Sequence, residues 1–338
     1  MSDHTVVCVF EDGQSRSIRA REQETIYQAC LRHDLPLLVD CKEGACGTCK
    51  ARCGSGDYWL DDISDEALSD EEQEERFVLT CQMHATSDCL IEFPYPLPDE
   101  ARQPKPMAAR VTAVEPIGGA VVRLLVQVEG EPPAFLPGQY VNIAIPGTGE
   151  VRSYSFANAP GARSLEFFVR LLPGGAMSDY LRDRARPGDA LTLSGPFGAF
   201  FLRPPARPVL MVAGGTGLAP MLSMLDTLAV TADPPPVTLL YGANLIEDLF
   251  GEARVAASGL PVDLRRCVVE GGDGWEGPVG HVTALLEPSL LESGEPDVYL
   301  CGPPPMIDAA KTWLRGQRVP DGRIYAEKFL PSGVSAGG

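Results

Sequence analysis

Basic residues are scarce in this chain. Its 28 Lys and Arg stand against 46 Asp and Glu, a formal net charge of -18, and so acidic a surface would repel the phosphates of a nucleic-acid partner. Long hydrophobic runs are missing too: nothing approaches the ~18 consecutive apolar residues of a membrane-crossing helix. The opening MSDHTVVCVF lacks the basic segment and apolar core of a secretion signal. The expectation is a soluble, unprocessed, cytoplasmic monomer. The four His (His4, His33, His84, His281) are too scattered for a metal site or a catalytic triad. No internal repeat is present.

Against these absences stand ten Cys. Residues 36–54, PLLVDCKEGACGTCKARCG, place Cys41, Cys46 and Cys49 in one short loop, and Cys81 in LTCQ follows after a long gap. This C-x4-C-x2-C arrangement with a distant fourth ligand is the plant-type spacing for a 2Fe-2S cluster. Gly44 and Gly47 let the loop bend sharply and aim backbone N–H groups at the sulfurs. Zinc modules favour two separated C-x2-C pairs, so the crowding of three ligands argues for the cluster. The other six Cys (Cys8, Cys30, Cys53, Cys89, Cys267, Cys301) show no paired framework, which fits a reducing cytosol.

Residues 5–10 and 15–19 alternate around Asp12-Gly13 as a hairpin, and Thr25 with Gln28 forms a capping box opening an amphipathic helix that ends near Asp34. Residues 61–76, DDISDEALSDEEQEER, hold nine acids against one Arg and read as a turn plus helix. They are either a solvated face or a docking surface for a basic partner. Residues 1–100 carry 22 Asp/Glu against 8 Lys/Arg, most of the net charge. The proline-rich PYPLPDEARQPKP (94–106) reads as a linker. Short β-rich runs follow over 107–200 at barrel-like intervals. From Arg207 apolar strands alternate with helical stretches, implying a parallel sheet wrapped by helices.

The loop DCKEGACGTCKARCGSGDY resembles that of the reductase components of benzoate and toluate 1,2-dioxygenases, and the likeness runs over nearly the whole chain. It implies a multidomain α+β and α/β fold. The expected parts are a β-grasp ferredoxin domain (1–100), an antiparallel FAD-binding β-barrel (105–205), a doubly wound parallel-sheet NAD-binding domain (206–330) and a flexible tail (331–338).

Within the barrel, RSYS (Arg152, Ser153, Tyr154, Ser155) offers a guanidinium for a phosphate, an aromatic for a ring system and a hydroxyl. In GGAMSDYL, Gly175, Ala176, Met177 and Ser178 precede a helix whose N-terminus suits a pyrophosphate. Both match the FAD-binding pattern of the ferredoxin-NADP reductase superfamily, and the same resemblance assigns Val169 and Arg170 to the flavin and SGPFG (194–198) to the closing loop. GGTGLAP (Gly214, Gly215, Thr216, Gly217, then Pro220) lies between a strand and its helix, where backbone N–H groups can cradle a dinucleotide. It resembles that superfamily's nicotinamide turn. LCGPPPM (Cys301, Gly302, Pro303, Met306) ends another strand at the same edge. The resemblance brings Cys301 near the nicotinamide, while from residues alone it reads equally as a buried small hydrophobe. Glu327 and Phe329 in YAEKF match the family's C-terminal acid and its flavin-covering aromatic. Plant-type reductases end at that aromatic, whereas nine residues follow Phe329 here.

The order of chemistry is then imposed: a nicotinamide gives two electrons as a hydride, the cluster takes one at a time, and flavin stands between. Glu247, Asp248 and Glu270 suit a ribose hydroxyl and would repel a 2'-phosphate, so NADH is the expected donor. The resemblance implies a terminal oxygenase of the Rieske type acting on benzoate-like acids. The same parts also serve diiron monooxygenases, P450s and deoxysugar-forming dehydrases, and the cofactor motifs do not choose among them.

Overall fold

A computed structural model describes residues 3–99, 104–292 and 294–329. The expected tail at 331–338 and the middle of the linker lie outside the described residues. The chain packs as two compact units, one on residues 3–99 and one on 104–196 with 200–329.

The first unit begins with the expected hairpin, β1 (Asp3–Phe10) and β2 (Ser15–Arg21). Alternation buries Val6, Cys8 and Phe10 on one face, and Asp12 closes the turn by accepting from the Gln14 backbone N–H at 3.1 Å. Helix α1 (Ile26–Arg32) opens on Thr25, whose hydroxyl accepts from the Gln28 N–H at 3.2 Å while the Gln28 side chain accepts from the Thr25 N–H at 3.0 Å. After the cysteine loop come β3 (Lys50–Ser55), β4 (Tyr58–Leu60), α2 (Asp70–Glu74), β5 (Phe77–Leu79), β6 (Met83–Ala85) and β7 (Cys89–Phe93). The main sheet runs β2-β1-β7-β3-β5, with β1 and β7 parallel, and β4 pairs with β6 as a separate ribbon. This is the β-grasp arrangement.

The acid-rich stretch contains α2, a single turn opened by a second capping box. Ser69 accepts from the Glu72 N–H at 3.4 Å and Glu72 from the Ser69 N–H at 3.2 Å. Asp70, Glu71 and Glu72 crowd its first turn, where the backbone's positive end favours them.

The second unit holds two sheets. Strands β8 (Lys105–Gly118), β9 (Val121–Val128), β10 (Tyr140–Ala144), β11 (Val151–Ser155), β12 (Ser164–Arg170) and β13 (Ala190–Phe197) form a six-stranded antiparallel sheet in the order β11-β10-β13-β8-β9-β12. A short helix, α3 (Ala176–Asp179), precedes β13. Then β14 (Val209–Gly214), α4 (Leu218–Leu228), β15 (Val237–Ala243), α5 (Glu252–Ala257), β16 (Val262–Val268), β17 (Asp297–Gly302), α6 (Pro304–Gly316) and β18 (Ile324–Lys328) build a parallel sheet ordered β16-β15-β14-β17-β18. Both of its faces are covered. In β14, Val209, Met211 and Ala213 pack with α4, while Leu210 and Val212 pack with Ile307, Ala310 and Leu314 of α6.

The boundary expected at 205/206 is not a break in packing. Val121, Phe168 and Phe200 from the antiparallel part share one apolar cluster with Met221, Leu225 and Phe250 from the parallel part. Each sheet alone would leave that apolar face wet, so the two parts behave as one compact body.

Candidate functional site

In the first unit the loop between α1 and β3 bends through Gly44 and Gly47, both at φ +72°. A Cβ on Gly44 would stand 2.6 Å from the Asp62 carbonyl oxygen, so only glycine lets the loop settle there. The four predicted ligand thiols converge in two pairs, Cys41 with Cys46 and Cys49 with Cys81. The Cys46 thiol draws Cys41 down to about 5, against the opposing effect of burial, helped by backbone N–H groups of Glu43, Ala45 and Cys46. Cys81 falls to about 7, first through Cys49, with help from the Gly44 N–H and the Gln82 amide. Cys46 and Cys49 are pushed up correspondingly.

Backbone and amide donors thus surround the Cys41 and Cys81 sulfurs, which suits thiolate ligation. Among the described residues no three His, Cys, Asp or Glu side chains meet as a single-ion site would require. Thiols gathered in twos fit two irons with two ligands each. Gln82, which no motif marks in LTCQ, has its amide 3.7 Å from the Cys81 sulfur and donates to the Lys42 carbonyl at 3.0 Å. Its position beside a ligand was the available signal.

In the second unit the turn after β14 is a 3-10 segment, Gly215–Gly217, leading straight into α4. A Cβ on Gly217 would run into the Cys301 carbonyl, and one on Gly214 would meet the Met306 sulfur at 2.8 Å and Pro303 at 3.1 Å. The two glycine- and proline-rich turns therefore face each other closely across the end of the sheet. Thr216 sits in the same turn, and Pro220 is buried in the first turn of α4. The cradle and the helix start behind it fit a dinucleotide's phosphates.

Cys301 and Glu327 are register partners on β17 and β18, and the Phe329 N–H donates to the Gly302 carbonyl at 2.9 Å. Ser155, at the end of β11, donates to Glu327 at 3.3 Å. The barrel's RSYS string and the C-terminal YAEKF string meet at this point. Cys301 is fully buried, and desolvation, reinforced by the Glu327 charge, holds its thiol well above the usual range. It is a neutral thiol packed at a strand end, in keeping with its reading as a small buried group.

Several predicted residues have tasks that the sequence did not announce. Val169 and Met177 are buried in the barrel core, so only their backbone can face a ligand. Ser178 accepts from the Leu172 N–H at 2.8 Å and thereby fixes the turn carrying Gly175 and Ala176. Ser153 donates to Asn142 at 2.7 Å, and the Arg152 guanidinium reaches Glu150 at 2.5 Å. Tyr154 packs against the core, and burial raises its phenol. Asp248 is buried, turned toward Gly119 and 3.9 Å from Arg170. The barrel side of the unit, not an open ribose pocket, surrounds its carboxylate. Among the described residues no helix is long and apolar enough to cross a membrane.

Three family models match in chain order: a 2Fe-2S iron-sulfur cluster binding domain over 9–86, an oxidoreductase FAD-binding domain over 108–202 and an oxidoreductase NAD-binding domain over 211–312. The toluate 1,2-dioxygenase electron transfer component of Pseudomonas putida is 39% identical, covering 97% of this chain and 99% of its own. The propane 2-monooxygenase reductase component of Mycolicibacterium goodii is 36% identical over 91% of this chain and 93% of its own. Among solved structures, the cytochrome P450 reductase GcoB of Amycolatopsis superposes with a TM-score of 0.71 at 29% identity, covering 97% of this chain and 99% of its own.

Proposed function

The chain belongs to the family of oxygenase electron transfer components that includes that of toluate 1,2-dioxygenase, and on that premise we propose that its acceptor is a Rieske non-haem iron oxygenase acting on benzoate-like acids. It is an NADH-dependent oxidoreductase with places for a 2Fe-2S cluster, FAD and NAD, and it delivers electrons singly to a terminal oxygenase. The observation that carries the choice of a ring dioxygenase is likeness to the toluate component across all three parts of the chain.

FAD, when bound, takes two electrons together as a hydride and gives them up one at a time, which matches a nicotinamide to a cluster. The residues supply position. Cys41, Cys46, Cys49 and Cys81 would hold the irons, their charge spread by the N–H groups already aimed at them. The N–H groups of Gly214–Gly217 and the start of α4 would bind the nicotinamide dinucleotide. Arg152 and the Gly175–Ser178 turn would hold the FAD phosphates, with Tyr154 beside its ring system. Glu327 fixes the Ser155 hydroxyl, and Phe329 is tethered at the crevice rim through Gly302. Cys301 leaves the crevice floor neutral and small, so that a nicotinamide ring can approach. The working form is a cytoplasmic monomer.

The test is reconstitution. The purified protein should contain two irons, two sulfides and one FAD per chain, and with NADH should drive dihydroxylation of benzoate by the toluate oxygenase component of P. putida. The likeness to the propane monooxygenase and P450 reductases supports a second reading, a diiron or P450 acceptor. Turnover with a diiron hydroxylase or a P450 and none with the ring dioxygenase would favour it.

A further inference from the structure

A groove of about 570 Å³ lies in the first unit, lined by Lys42, Glu43, Trp59, Leu60, Asp61, Asp62 and Gln82. Lys42 follows ligand Cys41 and Gln82 follows ligand Cys81, so residues next in chain to both thiol pairs form its walls. Trp59, on the β4–β6 ribbon, is 46% exposed, among the large apolar side chains that solvent reaches. Its indole is held flat on the His84 ring, centroids 3.9 Å apart and planes 2° from parallel. His84 is anchored by Asp61 at 2.8 Å, and its buried Nδ1 lacks a partner among the described residues. The stack therefore presents the indole in one fixed orientation.

The charge around it is one-sided. Lys42 turns its ammonium over the Tyr27 ring at 5.5 Å. Among the described residues Glu43 and Asp62 carry no ion pair. On α2, by contrast, Glu72 is already engaged with Lys50 at 2.5 Å and with the helix cap. Of the nine acids in 61–76, Asp61 and Asp62 line the groove beside Gln82; Asp61 is held by His84, which leaves Asp62 with Glu43 to face a partner there.

We propose that this Trp59-centred groove is the face on which the terminal oxygenase docks, seating a protruding Lys or Arg against Glu43 and Asp62 beside an apolar contact on the indole. The inference rests on the acceptor being an oxygenase protein. A fixed, exposed Trp is the kind of side chain that anchors an interface, the carboxylates beside it suit the polar rim, and the acids steer a basic surface toward it. A cluster held by Cys41, Cys46, Cys49 and Cys81 would supply such a partner with one electron, with no atom transferred.

The test uses the holoprotein and two acceptors, the P. putida toluate oxygenase and basic cytochrome c, with Kd by surface plasmon resonance and KM for each. Every rate is taken relative to ferricyanide reduction by the same variant. Trp59→Ala should weaken binding by about tenfold or more, as loss of an anchor does, and Trp59→Phe, which keeps a ring over His84, should recover most of it. Glu43→Gln with Asp62→Asn should raise Kd and flatten its dependence on salt. Glu71→Gln with Glu74→Gln on α2 should do less. Unchanged Kd in the groove variants, or a larger loss from α2, overturns the proposal. So does slower NADH-driven bleaching of the cluster with acceptor Kd unaltered, which would assign the groove to this chain's own flavin half. If the toluate oxygenase fails to bind even the unaltered protein while cytochrome c shows the groove effects, the acceptor assignment falls and the docking face stands.

Discussion

Glu166 is a carboxylate where the sequence offers little reason for one. It sits in the middle of β12 with its side chain 7% exposed, between an Arg123 guanidinium at 2.6 Å and that of Arg254. Arg123 is on β9, while Arg254 is on α5 of the parallel part and also holds Asp226 of α4 at 2.6 Å and the Ala157 carbonyl at 2.7 Å. One buried charge thus ties the two parts of the second unit together beneath their shared apolar cluster.

Replacing Glu166 by Gln keeps the shape and removes the charge. Breaking a fully buried ion pair costs about 3–5 kcal/mol. That figure must be discounted, because Arg123 and Arg254 are 37% and 25% exposed and each keeps a second acid, Glu115 at 3.1 Å and Asp226. About 2 kcal/mol remains, and for a body of this size each kcal/mol moves the melting temperature by about 2–4 °C. Glu166→Gln should therefore lower the temperature of flavin release, followed by the rise in flavin fluorescence, by roughly 4–8 °C. Arg254→Met should lower it comparably, and the double variant by less than the sum, with a coupling of about 1 kcal/mol or more. A Glu166→Gln shift within 1 °C of the unaltered protein, or strict additivity, would refute the idea that this network joins the parts.

Cys46→Ser should abolish reduction of protein acceptors and the visible bands of the cluster, while NADH:ferricyanide activity, which flavin can serve, persists. NADH should be favoured over NADPH in kcat/KM, because Arg265 is held by Asp263 at 2.9 Å and Glu287 at 2.5 Å, and Arg266 pairs with Glu252 and lies over Trp275. Glu252→Gln should release Arg266 and raise kcat/KM for NADPH about fivefold, in the range of one exposed ion pair; no gain would show that Arg266 cannot reach a 2'-phosphate. Gly217→Ala drives a methyl into the Cys301 backbone and should cost about 1–3 kcal/mol of stability, with a rise in the KM for NADH. A variant as stable as the parent would mean that the two turns can separate.

The parts of the site that could be read from the sequence are those whose geometry is local. Three ligand cysteines and two glycines lie within nine residues, so chain connectivity alone brings them together, and the Thr25 and Ser69 caps close over three residues each. The fourth thiol, Cys81, is carried to them by β5 pairing with β3, where Lys50 lies opposite Leu79. That is a long-range pairing, but the Cys leaves a mark in the sequence that a generic strand residue does not. The meeting of Ser155 with Glu327 left no such mark. It requires β18 to add to the sheet edge, and β18 is half-buried at every position, without the alternation that signals a strand.

Strand β12 shows why the rest was out of reach. Its five central residues are all buried, because the sheet covers one face and the parallel part covers the other. A strand covered on both faces loses its period of two, so SLEFFVR gives no hint of which side chains look inward. The Val169 side chain fills the core, and Glu166, the one acid in the strand, is buried as well. The charge is tolerable only because Arg123 and Arg254 come from 43 residues before it and 88 after, since an unpaired carboxylate at that depth would be neutralised or expelled. A buried acid in an otherwise apolar strand is thus itself a sign that a second layer supplies cations, which is information about packing between the parts that no motif search on either part contains.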